Sequence, residues 1–215
     1  MAISLESIEA KLHRRLRILD GAFDQHIIEP SLTKRVDISA FREGLNSALW
    51  QSWGVFCREV LIQSTKGAVT RAGILTTSLH SARPEPEITF IAKQLATNNS
   101  ITNIRALSGS HLEPTWGAGD TINRIINGIN MSNKITLLPA FGVMRTIKDL
   151  RLCRNASAHV CASLISEVRS ARVRYSETKF RHPSDMMIWV DVPTKDFLWK
   201  SWVEEMKIIA HFASA

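Results

Sequence analysis

Apolar and polar positions alternate with a helical period over most of this 215-residue chain. From about residue 4 to residue 28, Leu5, Ile8, Leu12, Leu16 and Leu19 recur at three- and four-residue steps. That spacing predicts a long amphipathic first helix with one buried stripe. Ser4 stands where an N-cap hydroxyl is favoured, and Pro30 ends the pattern. A second long helix is expected from near Ser39 to about Ser64, with Ala48, Trp53, Phe56, Cys57, Val60 and Leu61 along one side. Lys66-Gly67 then supply a cationic last turn and a helix-stopping glycine. An aromatic stripe at this spacing reads as core rather than as a cofactor site.

The middle of the chain, about 65 to 118, is less regular. Pro84 and Pro86 introduce a short helix, "EITFIAKQLAT", and "NNSITN" and "LSGSHLEPTWGAGD" read as loops. Asp120 is expected to cap "TINRIINGIN", and "NKITLLPAFG" to lead into a helix that starts near Met144 or Thr146 and buries Ile147, Leu150 and Cys153. Helical period continues from about 156 to 177 through Val160, Leu164, Ile165 and Val168. "MMIWVDV", residues 186 to 192, is the one convincing strand candidate. Pro193-Thr194 then opens a last helix to about residue 213, with Leu198, Trp202, Met206 and Ile209 inward. One strand cannot make a sheet, so the expected fold is all-α. Long antiparallel helices, short accessory helices and one short β segment near 186–192 would form a bundle in one domain over 1–215.

Composition supports a real core: 45% of residues are hydrophobic, with six Trp and eight Phe. The net charge of +7 and a pI near 9.7 favour encounters with polyanions such as RNA, DNA or an acidic partner. Cys57, Cys153 and Cys161 form no CxxC pair, which points to a reducing compartment. The N-terminal residues are charged from Glu6 to Arg17, with no apolar leader core, and no uncharged apolar run nears the ~20 residues that span a bilayer. A soluble cytoplasmic protein, with no membrane partner, is therefore expected. No GxGxxG or GxxxxGK[ST] loop occurs, and Ser110-His111-Leu112-Glu113 reads as a surface turn rather than a triad.

Candidate chemistry concentrates in "LRLCRNASAHV", residues 150 to 160, which is expected to lie on a helix or at a break between two helices. On a helix, Asn155 and His159 stand four apart on one face, and the long side chain of Arg154 can sweep over the same patch. Ala156, Ser157 and Ala158 are small, so another chain or a phosphate backbone could approach closely. A guanidinium, a titratable imidazole and an orienting amide are what a phosphate site uses. Two other readings stay open: a helix-to-helix hydrogen-bonding pair, and a metal site of Cys153, His159 and Cys161, whose spacing matches no zinc pattern.

"IKDLRLCRNASAHV" resembles the signature of the HEPN superfamily: Arg, a polar residue, a short spacer, then His. The aromatic second helix, "LWQSWGVFCREVL", is similar to that of defence- and toxin-type HEPN proteins. The resemblance implies a helical bundle, often dimeric, acting as an endoribonuclease without a metal or other cofactor. It implies Arg154, Asn155 and His159 as catalytic residues, RNA as substrate, and an antitoxin or neighbouring defence protein as a possible partner. Many relatives carry Gly after the His, where this chain has Val160. A non-catalytic nucleotide- or partner-binding module is the alternative within the same family. Arg169, Arg172, Arg174, Lys179 and Arg181, further along the chain, are expected to track an RNA backbone.

Overall fold

The computed structural model describes residues 2–28, 32–107, 109 and 112–215. Pro30, expected to end the first helix, and Ser110 and His111 of the expected turn lie outside the described residues. The described chain is mostly helical, with one small sheet, in keeping with the all-α expectation. None of its helices is long and apolar enough to cross a membrane.

Helix α1 (Leu5–Ile28) buries Leu5, Ile8, Leu12, Leu16 and Leu19, the stripe predicted from their spacing. Helix α2 (Arg35–Lys66) begins earlier than expected. Leu45 and Leu49 extend its buried stripe toward the N-terminal end, while Ala48 is half-buried. Gly67 follows with φ +109°, a left-handed conformation that releases the chain from α2 and that a β-carbon would strain.

Packing divides the chain into two compact units. One comprises Met1–Leu12, Trp53–Met144 and Lys207–Ala215. Within it lie α3 (Glu85–Ala96), α4 (Gly119–Ile129) and α5 (Lys134–Gly142). Ile122, Ile125, Ile126 and Ile129 form the buried face of α4. Where α4 meets α3, a β-carbon on Gly128 would lie 2.2 Å from Leu95 Cδ2, so a side chain there would force Leu95 to move. Trp53 donates from Nε1 to the Gly117 carbonyl (3.1 Å) and stacks on Phe56. Arg58 holds Glu113 (2.9 Å) and Glu85 (2.6 Å), which makes Glu113 a structural carboxylate. Two local expectations change in this unit. Ala118, not Asp120, occupies the N-cap position of α4, and Asp120 sits in the first turn, where its charge suits the helix dipole. "NKITLLPAFG" is itself helical despite Pro139: burial of Leu137, Ala140 and Phe141 outweighs the backbone bond the proline forfeits.

The second unit comprises His13–Ser52 and Arg145–Met206. It holds α6 (Ile147–Ala158) and α7 (Ala162–Ala171), followed by a 3₁₀ turn, Arg172–Arg174. Strands β1 (Tyr175–Ser176), β2 (Val190–Asp191) and β3 (Asp196–Phe197) come next, and α8 (Leu198–Ala213) starts here. The strands form an antiparallel sheet in the order β1-β2-β3, with Asp191 opposite both Tyr175 and Asp196. Phe23 stacks on Trp199 with ring centroids 5.2 Å apart, and Lys200 bridges Asp20 (2.7 Å) and Asp24 (2.6 Å).

The predicted strand over 186–192 shrinks to Val190–Asp191. Its first part joins a 3₁₀ helix, Pro183–Ile188, because His182 and Asp185 cap that turn reciprocally. Pro193-Thr194 do not open α8; they lie in the β2–β3 turn, which closes around the buried Asp191 carboxylate. Thr194 Oγ1 (3.2 Å), Ser201 Oγ (3.1 Å) and the two guanidinium nitrogens of Arg145 (3.1 and 2.6 Å) all donate to it. The helical run expected over 156–177 is broken at residues 159–161, where Val160 is exposed; Leu164 and Ile165 are half-buried.

Burial would raise the Asp191 pKa, but Arg145 and the two hydroxyls outweigh it and hold the carboxyl below its ordinary range. A depressed folded-state pKa contributes stability above the unfolded pKa and loses it as pH falls through the folded value. Asp191→Ala is expected to cost on the order of 2–3 kcal/mol at neutral pH, discounted because Arg145 is half exposed. In thermal melts, the gap between wild type and variant should shrink steadily below the ordinary carboxylate range. A gap that is constant down to pH 2 would contradict this.

Candidate functional site

Helix α6 carries the Arg-Asn-x-x-x-His motif, and its position is set at three points along its length. At its start, the Glu205 carboxylate of α8 accepts hydrogen bonds from the backbone N–H groups of Arg145 and Thr146 (2.7 Å to the latter) and from Thr146 Oγ1. A carboxylate from α8 thus binds the backbone amides of the N-cap residue and of the residue before it, fixing the entry to α6. In the first turn, buried Asp149 receives the Tyr175 hydroxyl and the Arg174 guanidinium (2.6 Å). That ties α6 to the segment returning from α7. In the middle, Asn46 Nδ2 donates to Cys153 Sγ (3.2 Å), and Cys153 Sγ donates to the Pro183 carbonyl (3.4 Å).

The motif occupies the other end of α6. Arg154 and Asn155 lie in the last turns, half-buried, and His159 is the C-cap residue with φ −134° and ψ 76°. His159 is therefore one residue beyond the helix rather than on its face, and its side chain is exposed. Asn155 connects the set in two ways. Its backbone carbonyl accepts the His159 N–H (2.8 Å), and its amide oxygen accepts from an Arg154 terminal nitrogen (3.2 Å). The end of α6 thus presents an exposed imidazole at the C-cap and, in the last turns, a guanidinium hydrogen-bonded to an amide. Of the small spacer residues, Ala156 is buried and Ser157 half-buried, so Ala158 is the one that leaves open surface.

The five cations expected to follow an RNA backbone divide into groups. Arg169 is exposed on α7, and Arg172 is exposed with Nε donating to Thr178 Oγ1 (3.2 Å). Arg174 is committed to Asp149 and lies over the Tyr175 ring, so it anchors the fold. Lys179 and Arg181 line a separate cavity together with residues of α2. Pattern reasoning missed Asp149, Glu205, Asn46 and the α2 arginines, because their partners lie far away in sequence.

The thiols differ sharply in environment. Burial raises the pKa of Cys153 and of Cys57, and both thiols lie fully in the core. Cys161 is exposed at the N-cap of α7, where the Ser163 hydroxyl, 3.2 Å away, lowers its pKa. Cys153 and Cys161 thus face different surroundings. Among the described residues no group of three or more His, Cys, Asp or Glu side chains converges as a metal-ligand set. No protein-family model, curated protein or solved structure matches the chain.

A thiol-reactive maleimide at neutral pH should label the native protein at Cys161 alone, located by peptide mass mapping. Cys57 and Cys153 should react only after denaturation. Rapid native labelling of Cys153 would show that the middle of α6 is not held as described.

Proposed function

We propose that the chain is a HEPN-type endoribonuclease that needs no metal, cutting RNA through attack of the substrate's own 2′-hydroxyl. The observation that carries this reading is the end of α6. There Asn155 bonds both the His159 backbone and the Arg154 guanidinium, with the imidazole open to solvent. RNA brings its nucleophile, so the protein must supply proton transfer and charge stabilisation at a phosphorane-like transition state. His159 moves the proton, Arg154 neutralises the scissile phosphate, and Asn155 keeps Arg154 oriented. The 2′-oxygen forms the new bond to phosphorus as the P–O5′ bond breaks. The products are a 2′,3′-cyclic phosphate and a 5′-hydroxyl.

One imidazole cannot serve conveniently as base and acid in the same step. An isologous dimer would bring a second Arg154 and His159 into one cleft, since twofold symmetry presents the same patch from both chains. Exposed Ala158 leaves room for such an approach. Arg169 and Arg172, exposed on α7 and the turn after it, supply cationic surface for the strand. A toxin–antitoxin or phage-defence role, with an antitoxin or neighbouring defence protein as partner, accompanies this reading as part of the same proposal. A HEPN module that binds nucleotide or partner without cleaving would use the same residues and lack the chemistry.

Purified protein in EDTA is expected to cleave single-stranded RNA, leaving cyclic-phosphate ends detectable by mass spectrometry. His159→Ala and Arg154→Ala should each lower the rate by about 10²–10⁴-fold with an unchanged melting temperature. Full activity in His159→Ala, loss of cleavage on chelation, or RNA binding without cutting would each overturn the proposal.

A further inference from the structure

A second concentration of positive charge lies in the unit that contains α6, in a half-open cavity of about 330 Å³. Arg35 and Arg42 of α2 line it, together with Lys179, Arg181, His182 and Asp185 from the segment before β2. The lining includes none of Arg154, Asn155 and His159. The cavity is therefore a site separate from the motif at the end of α6.

The cavity is built rather than incidental. Arg35 donates from a terminal nitrogen to the Arg181 carbonyl (3.0 Å), which fixes the start of α2 against that segment. Arg42 donates through Nε to His26 Nε2 (3.1 Å) and through a terminal nitrogen to Asp185 Oδ1 (2.9 Å). Asp185 Oδ2 meanwhile accepts the backbone N–H groups of Arg181 (2.8 Å) and His182 (2.9 Å). The one lining carboxylate is thus fully occupied in holding the cavity together. His182 Nε2 lies 3.2 Å from Glu43, which accounts for the other nearby acid.

Charge does not balance there. The lining contributes four guanidinium or ammonium groups and one carboxylate, an excess of three positive charges, or two with Glu43 included. No carboxylate among the described residues pairs with the Lys179 ammonium or the Arg181 guanidinium, and both residues are exposed. Like charges gathered in a concavity repel one another unless an anion joins them. The first turn of α2, through Arg35, Ile38 and Ser39, also faces the cavity and adds the positive end of a 32-residue helix. Half-buried Ile38 and Ile188 add apolar surface to the same lining. A cavity of this size, part cationic and part apolar, suits one small ligand with a charged end and a flat apolar body.

We propose that this cavity binds the phosphate of a nucleotide-sized phosphomonoester, with Arg35, Lys179 and Arg181 on the phosphate and Ile38 and Ile188 against the ring. A terminal phosphate carries close to two negative charges at pH 7, matching the local excess, whereas each internal phosphate of an RNA strand carries one. This assignment moves Lys179 and Arg181 away from the strand path expected from their place in the sequence.

Calorimetric titration of the full chain with AMP, UMP, adenosine, inorganic phosphate and a 5′-hydroxyl oligoribonucleotide tests it. The mononucleotides should bind at least tenfold more tightly than adenosine, with inorganic phosphate weaker than either nucleotide. Lys179→Gln/Arg181→Gln should weaken AMP binding at least tenfold with an unchanged melting temperature. The charge-matched Arg14→Gln/Arg17→Gln, on exposed positions of α1, should leave AMP affinity as it was. Equal binding of AMP and adenosine would overturn the proposal, as would full AMP affinity in the Lys179/Arg181 variant or equal loss in the Arg14/Arg17 control. Displacement of AMP by the oligoribonucleotide at the same phosphate concentration would also overturn it, marking the cavity as part of a strand path.

Discussion

The carboxylate of Glu205 at the start of α6 is the contact on which the motif's position most depends. A helix end with open amides frays, and fraying at one end of a 12-residue helix shifts what the other end presents. Asp149 and Cys153 then fix rotation about the helix axis, since both face inward on α6 and have defined partners in the same unit. With the inward face held in this way, Arg154 and Asn155 fall at the edge of the buried face and His159 falls beyond it. A chemistry-bearing patch at a helix terminus gains its precision from buried polar contacts well inside the helix. Each is costly to break because its partner would be left unsatisfied.

The arginines separate into two roles that net charge alone does not distinguish. Arg58, Arg71, Arg145 and Arg174 each hold one or more carboxylates in fixed geometry within their own unit. They are structural and contribute little to the field felt by an approaching polyanion. What remains available is carried by exposed cations with no carboxylate partner among the described residues, including Arg169 on α7 and the pair Lys179 and Arg181. A basic pI therefore reports how much positive charge exists, while the pairing pattern decides where it can act.

What could be seen in the sequence follows the range over which each cause acts. The buried stripes of α1, α2 and α8 were legible because helical periodicity is a property of a few consecutive turns. The motif was legible for the same reason: Arg154, Asn155 and His159 lie within one and a half turns of chain. "MMIWVDV" misled because its apolar residues report burial, which a 3₁₀ turn capped by His182 and Asp185 satisfies as well as a strand does. A break between two helices was one of the two settings the sequence allowed for the motif, and it falls at residues 159–161, although Val160 continues the apolar rhythm while facing solvent. Asp149, Asp191 and the cavity joining Arg35 to Arg181 were out of reach altogether. Each depends on a partner between 25 and 146 positions away, and single-chain periodicity carries no record of such pairings.

The cap on α6 also imposes an order on biosynthesis. Glu205 lies 59 positions after Thr146, so a ribosome finishes α6 and its motif long before it makes the residue that closes the start of that helix. Until the first part of α8 has emerged and docked, the nascent chain holds a motif whose supporting helix lacks its terminal anchor. A polypeptide interrupted between α6 and α8 would carry every residue of the motif in an unfinished frame. Assembly of the patch is in this way tied to translation of the chain well past the patch itself.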